Sequence, residues 1–227
     1  VLYVHIEKLN KDLKIRLNKF LILEPIEKID NIFNNLRNNL KIGFDYKNTS
    51  YFFYNLALEN NHTPSNLQNP CLIPKAIKNE TELEGSRKAH IRDGVSITKF
   101  LCWLKNHQNV EKESEISVAK KLLSFRKSNE LFHSISFESI SAIGKNAALP
   151  HYRADKNHPV ALKNNCIYLS DSGGQYYDGT TDITRTIILG KPNREQIDRF
   201  TRVLKGHINL STHKFPKGTK GTDIDYL

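Results

Sequence analysis

The residues with the clearest chemical potential are Asp171 and Asp182, which flank the sequence Ser-Gly-Gly-Gln-Tyr-Tyr-Asp-Gly-Thr-Thr. If this segment is a hairpin with a four-residue loop from Gln175 to Asp178, the two aspartates are directly opposed on one face of a sheet. Opposed Cβ atoms lie about 4.5–5.5 Å apart, and two negative charges there destabilise the sheet unless a cation neutralises them. Two divalent ions about 3.5–4 Å apart, as in two-metal hydrolases, would supply that charge.

Other interpretations of the same two aspartates are open at this point. Aspartate is common in turns, so both could be ordinary turn residues, with Asp178-Gly179 at the corner of a hairpin. A two-residue turn at Asp178-Gly179 would place Asp182 opposite Gln175 and leave Asp171 about 13 Å further along the strand. That second register disfavours a shared metal site, and spacing alone does not decide between them.

The wider sequence around these aspartates matches a known motif. Residues 168–186, Tyr-Leu-Ser-Asp-Ser-Gly-Gly-Gln-Tyr-Tyr-Asp-Gly-Thr-Thr-Asp-Ile-Thr-Arg-Thr, resemble the first metal-ligand motif of Xaa-Pro aminopeptidases of the aminopeptidase P type. These enzymes have the pita-bread (creatinase/aminopeptidase) catalytic fold. Further similar segments follow the family's order along nearly the whole chain, at residues 71–79, 84–93, 200–207 and 215–221.

The resemblance implies roles for four side chains. Asp171 corresponds to a terminal ligand of one metal ion, and Asp182 corresponds to the ligand that bridges two. His151 matches the family's active-site histidine, which contacts the substrate or the tetrahedral intermediate. Thr184 follows Asp182 by two residues on the same strand face, so we expect it to support that ligand by a hydrogen bond.

The reaction implied by the resemblance is hydrolysis of the bond between an N-terminal residue and a following proline, by a hydroxide bound to two metal ions. Oxygen-rich ligation favours Mn²⁺, and a mixed oxygen and imidazole shell also suits Zn²⁺, Co²⁺ or Fe²⁺. The implied partner is a peptide with proline at its second position, and a homodimer is the assembly we consider. A non-catalytic pita-bread binding module, the remnant of a broken gene and a prolidase-type dipeptidase are the alternatives.

The resemblance covers only part of the family's catalytic domain. A histidine and two glutamates complete the metal site in the family, and they come from later motifs. Neither His-Gly-x-Gly-His nor Glu-Pro-Gly occurs in this sequence, which also contains no methionine. We therefore expect an internal fragment of a longer enzyme, inactive by itself.

Regular alternation of strand-like and helix-like segments predicts an α/β domain in the first part of the chain. Prolines between Asn60 and Pro74 indicate a connection to a second domain. We assign residues 1–72 to the C-terminal part of a creatinase-N-like βα domain. The expected elements are strands at 2–6, 20–23 and 42–46, and helices at 7–18, 26–40 and 50–58.

Residues 73–227 are expected to form the first half of a pita-bread catalytic domain, of class α+β. Apolar residues at three- and four-residue steps predict a helix at 80–106, with Ile91, Val95, Thr98, Leu101 and Leu104 on one side. Other helices are predicted at 114–127 and 194–213. Short alternating runs predict antiparallel strands at 135–140, 166–169 and 183–187.

Composition narrows the classes of function further. The net charge is +10, but the basic residues are scattered among acidic ones, so we expect no nucleic-acid partner. No apolar run reaches the length of a membrane span, and the first residues do not resemble an export signal. These features predict a cytoplasmic protein that does not bind a membrane.

Overall fold

The computed structural model describes residues 1–34 and 36–227. The chain divides into two compact units, Val1–Lys78 and Asn79–Leu227. Each unit has its own cluster of buried apolar side chains. None of the described helices is both long enough and apolar enough to cross a membrane.

The first unit contains two pairs of parallel strands with helices in the crossovers. Strand β1 (Leu2–Val4) pairs with β2 (Leu23–Pro25), and β3 (Lys41–Phe44) pairs with β4 (Thr63–Asn66). The core consists of Phe33, Phe44, Leu56 and Ala57. The helices are α1 (Lys11–Leu17), α2 (Tyr51–Glu59) and α3 (Leu72–Ala76).

Two predictions for this unit were wrong. The helix expected at 26–40 is a 3₁₀ helix over Ile26–Asn31 that gives way to turns, and Asn35 lies outside the described residues. Asparagine competes with helix by bonding its own backbone, and Asn39 has a positive φ of 57°. The expected connection at 60–74 contains β4, where Pro64 is tolerated because its strand lies at a sheet edge.

The second unit is α+β and builds two antiparallel sheets against long helices. One sheet has the order β10-β7-β6 and the other β5-β8-β9. Capping boxes open all three helices, which supports the predicted starts. The helices are α4 (Glu80–Lys105), α5 (Glu115–Lys127) and α6 (Arg194–Thr212), and the strands are β5 (Phe132–Ile135), β6 (Ile140–Ile143), β7 (Cys166–Ser172), β8 (Gly174–Tyr176), β9 (Gly179–Thr180) and β10 (Ile183–Leu189).

Helix α4 buries only part of the predicted apolar stripe. Ile91 and Val95 are 71% and 50% exposed, whereas Leu104 is buried and Leu101 packs against the core. Small residues decide the orientation, because Gly85 lies against the backbone oxygen of Asp178 and leaves no room for a Cβ atom. The buried face contains Gly85, Ala89, Asp93, Ser96, Ile97, Phe100 and Leu104. A carboxylate therefore lies within the hydrophobic interior of the unit.

Candidate active site

Asp171 of the motif lies on an antiparallel ladder, whereas Asp182 directly precedes strand β10 and is not paired in a ladder. Asp171 on β7 is opposite Thr184 on β10, and the β8–β9 hairpin has a two-residue turn at Tyr177 and Asp178. The predicted register with Asp171 opposite Asp182 was therefore wrong by two residues. Asp182 lies between β9 and β10, so strand pairing fixes the position of Asp171 and not that of Asp182.

The inner face of the same hairpin is held by a buried carboxylate on α4. Asp93 accepts hydrogen bonds from the Tyr176 hydroxyl at 3.0 Å and the Thr181 hydroxyl at 2.6 Å. Arg126 of α5 donates to both Asp93 oxygens, from Nε at 2.7 Å and from Nη2 at 3.0 Å. All four side chains are fully buried. The register follows, because Tyr176 and Thr181 must both reach Asp93.

Opposing influences set the ionisation of this cluster. Burial raises the pKa of Asp93, but hydrogen bonds from Arg126, Thr181 and Tyr176, together with the Arg126 charge, bring it below its ordinary value. The pKa of the Tyr176 hydroxyl is raised by burial first and then by the Asp93 charge. Asp93 is therefore an anion that accepts hydrogen bonds from all three partners.

The tip of the hairpin is clamped to α4 by a second ion pair. The Nη1 and Nη2 atoms of Arg92 donate to Oδ1 and Oδ2 of Asp178, each at 2.9 Å. The Arg92 guanidinium also lies 5.2 Å from the centre of the Tyr176 ring. Hydrogen bonding from Arg92 is the main reason that the pKa of Asp178 is lowered. Asp178 is thus a structural turn residue. This agrees with the interpretation that placed Asp178-Gly179 at the corner of a hairpin.

The ladder between β7 and β10 carries two of the predicted site residues, Asp171 and Thr184. The Thr184 hydroxyl donates to Asp171 Oδ1 at 2.7 Å. We expected Thr184 to contact Asp182, but the register places it directly across from Asp171 instead. Asp182 follows the buried Thr181 and is exposed. Strand pairing therefore decides that Thr184 supports Asp171.

A cavity of about 310 Å³ brings three of the four predicted residues together. His151, Asp171 and Thr184 contribute to its wall, and Asp182 is not among the lining residues. His151 has a φ of 55°, in the left-handed region that side chains rarely adopt. The remaining wall is apolar and consists of Ile140, Ala147, Ala148, Leu149, Pro150 and Leu169.

The segment that carries His151 is tied to another buried carboxylate. Glu115, the first residue of α5, accepts hydrogen bonds from the Ile143 amide at 2.7 Å, the Tyr152 hydroxyl at 2.7 Å and the Asn146 side chain at 3.1 Å. Burial, then the hydrogen bond to Glu115, raises the pKa of Tyr152 to about 12. Tyr152 therefore remains a neutral donor at physiological pH.

Sequence reasoning missed both buried carboxylates, although each left a signal. Glu115 and Arg126 occupy the two ends of the α5 stripe that also buries Val118 and Leu122. Asp93 lies on the equivalent stripe of α4. A charged residue at an apolar position of a helix is rare unless it has partners, so these positions predict buried networks.

The donor chemistry of Asp171 and Asp182 fits two ligands of a larger metal site. Among the described residues, no lysine, arginine or histidine pairs with Asp171 or Asp182, and the Thr184 bond occupies only Oδ1 of Asp171. Carboxylates without a cationic partner suit hard divalent cations. No group of three or more His, Cys, Asp or Glu within the described part of the chain could hold a metal ion. These aspartates therefore fit as part of a ligand set.

Comparison with known proteins identifies the family. Residues 84–227 match the model of metallopeptidase family M24, which covers α4 to the end of the chain and includes all four predicted site residues. The chain belongs to metallopeptidase family M24. Family membership confirms the predicted pita-bread catalytic fold for these residues and agrees with the α+β architecture of the second unit.

Two curated relatives of this M24 chain are aminopeptidases. It is 42% identical to Xaa-Pro aminopeptidase 1 of Dictyostelium discoideum over 99% of its length, which is 36% of that relative. It is 38% identical to a probable Xaa-Pro aminopeptidase P of Pyrenophora teres f. teres over 100% of its length, again 36% of the relative. The predicted resemblance to Xaa-Pro aminopeptidases is confirmed, and the chain spans about a third of these proteins.

Solved structures give the same result. X-prolyl aminopeptidase from Caenorhabditis elegans, described as a cytosolic enzyme with a di-nuclear active site, superposes with a TM-score of 0.79 at 31% identity. The match covers 98% of this chain and 37% of that one. Prolidase from Pyrococcus furiosus has a TM-score of 0.73 at 23% identity, over 96% of this chain and 62% of that one, and shows the shared fold.

Proposed function

We propose that this chain forms part of an Xaa-Pro aminopeptidase, which removes an N-terminal residue that precedes proline. The observation that carries the proposal is the outer face of the β7–β10 ladder, where Asp171 and Thr184 share a cavity wall with His151. Its support is the 42% identity with a curated Xaa-Pro aminopeptidase along the same segment. A prolidase-type dipeptidase shares the fold, but the curated relatives favour the aminopeptidase.

In this proposal each side chain of the site has a separate task. Asp171 and Asp182 are ligands, and the Thr184 hydroxyl orients the Asp171 carboxylate so that Oδ2 stays free for a cation. His151 lines the same cavity, where its imidazole can hydrogen-bond the peptide substrate at the scissile carbonyl. The apolar side chains of residues 147–150 supply further contact surface for the peptide.

The proposed cofactor is a pair of divalent cations, since the C. elegans relative has a di-nuclear active site. Bound at these aspartates, such ions supply Lewis acidity that activates water and polarises the scissile carbonyl. Carboxylate oxygen is the donor that this chain offers, and Mn²⁺ is the ion that we propose. Because two carboxylates are too few ligands, we expect the 227-residue chain alone to show no peptide turnover.

A chimeric enzyme tests this function. Residues 84–227 replace the corresponding segment of the Dictyostelium relative, and hydrolysis is measured on a dipeptide and on longer peptides with proline at position two, in the presence of Mn²⁺. We expect hydrolysis of the longer peptides. Asp171→Asn and Asp182→Asn should each abolish turnover, because both remove a charged metal ligand.

The matched control is Asp198→Asn, which alters an exposed carboxylate on α6 paired with Arg202. This variant should keep the turnover of the parent chimera. Cleavage of the dipeptide alone would support a prolidase-type enzyme instead. A folded chimera that binds Mn²⁺ and cleaves neither class of substrate would contradict the proposal in favour of a binding module.

We also propose a cytosolic location, which the description of the C. elegans relative supports. Fractionation of cells that express the tagged protein should place it with soluble cytosolic markers. Recovery with a membrane or organelle fraction would contradict this location without affecting the proposed chemistry.

A further inference from the structure

Glu115 is a buried carboxylate whose partners are neutral. Its side chain is inaccessible to solvent, and the described residues include no cation that pairs with it. Oε1 accepts from the Ile143 amide and the Asn146 side chain, and Oε2 accepts from the Tyr152 hydroxyl. A buried carboxylate loses much of its hydration free energy on folding, and these three hydrogen bonds must compensate for that loss.

The partners of Glu115 lie at both ends of the segment that lines the candidate active site. Asn146 precedes this segment and Tyr152 follows it, and the Asn146 side chain also donates to the Tyr152 hydroxyl at 2.9 Å. A closed triangle of hydrogen bonds therefore joins the two ends to α5. The residues between them, 147–151, line the same cavity as Asp171 and Thr184.

His151 has a backbone conformation that requires such support. Its φ of 55° lies in the left-handed region, which is unfavourable for an L residue other than glycine. Conformations of this kind persist only where neighbouring structure determines them. The next residue, Tyr152, is bonded to Glu115 and Asn146, so the strained backbone is held from its C-terminal side.

We propose that Glu115, through Tyr152 and Asn146, is the positioning group that fixes His151 against Asp171 and Thr184. Glu115 does not contact the substrate. It acts through the hydrogen bonds at the two ends of the 147–151 segment. The catalytic importance of this role rests on the proposed function, whereas the positioning itself concerns only residues of this chain.

Histidine NMR spectra of the 227-residue chain test this role, with the His151 ring signal assigned from its loss in His151→Gln. Tyr152→Phe removes one hydroxyl bonded to Glu115, and Tyr176→Phe is the matched control because it removes one hydroxyl bonded to Asp93. We expect the His151 signal to shift or broaden in Tyr152→Phe and to stay unchanged in Tyr176→Phe.

Glu115→Gln provides a second variant, since it preserves side-chain volume but places an amide donor against the existing donors. It should change the His151 signal in the same direction as Tyr152→Phe. Unchanged His151 signals in both variants would overturn the proposal, and so would an equal change in Tyr176→Phe. Because this measurement needs neither metal nor substrate, its result is independent of whether the chimeric enzyme is active.

Discussion

Asp93 and Glu115 are two buried carboxylates in one structural unit, and they are stabilised by different kinds of partner. Both side chains are 0% exposed. Asp93 pairs with a buried arginine and accepts from two hydroxyls, whereas Glu115 accepts only from neutral donors. A buried ion pair makes each partner dependent on the other, because either charge alone is costly in the interior. Neutral donors impose a smaller penalty when the acceptor is lost.

The two carboxylates also hold different parts of the candidate active site. Asp93 holds Thr181, which directly precedes the predicted metal ligand Asp182. Glu115 holds Tyr152, which directly follows His151. The predicted metal ligand is therefore fixed through an ionic network, and the predicted substrate contact is fixed through neutral hydrogen bonds.

The largest expected effect follows from removing the cation of the Asp93 cluster. Arg126→Met keeps an unbranched side chain but leaves Asp93 buried without a counter-charge, which should destabilise the chain by about 3–5 kcal/mol. The free energy of unfolding from urea denaturation measures this loss. Arg202→Met is the control, because it breaks an exposed pair with Asp198 and should change stability by no more than about 0.5 kcal/mol.

A smaller loss is expected when the other carboxylate is removed. Glu115→Ala leaves the Ile143 amide and the Tyr152 hydroxyl without an acceptor, but no buried charge, so we expect a cost of about 2 kcal/mol. The same denaturation experiment measures it. A cost equal to or above that of Arg126→Met would refute the distinction between an ionic and a neutral network.

The smallest effect concerns acid pH and tests whether the charge of Asp93 stabilises the fold. The folded-state pKa of Asp93 lies below its ordinary value, so its contribution is complete above the unfolded-state pKa of about 4 and declines as pH falls through the folded-state pKa. The difference in free energy of unfolding between the parent chain and Asp93→Asn, measured by urea denaturation, should therefore be constant between about pH 5 and pH 7. It should shrink below about pH 4. A destabilisation that is the same at every pH would indicate a role in packing alone.

Several features were predictable because they depend on local chemistry. The capping residues Asn79, Ser114 and Asn193 open α4, α5 and α6, since each side chain accepts from a backbone amide of the first turn. The antiparallel pairing of the strands β7 and β10 was also predictable, because their short alternating runs are typical of antiparallel strands.

Other features were not predictable from local chemistry. The stripe of Ile91 and Val95 was more apolar than the true buried face of α4, yet Gly85 and Ala89 allow the closer approach to the hairpin. Close backbone packing and the Asp93 network outweighed apolar area at this interface. A pattern of hydrophobic residues contains no information about a partner that comes nearly ninety residues later, as the Asp93 bonds to Tyr176 and Thr181 show.

The sequence by itself indicated the family, through its motif, and the candidate site residues. Only the tertiary structure decided which residues meet: Thr184 with Asp171, Thr181 with Asp93, and Tyr152 with Glu115. The physical reason is that residue types and their periodicity are local properties of the chain. Strand register and buried hydrogen-bond networks are set by distant groups that must all be satisfied at once.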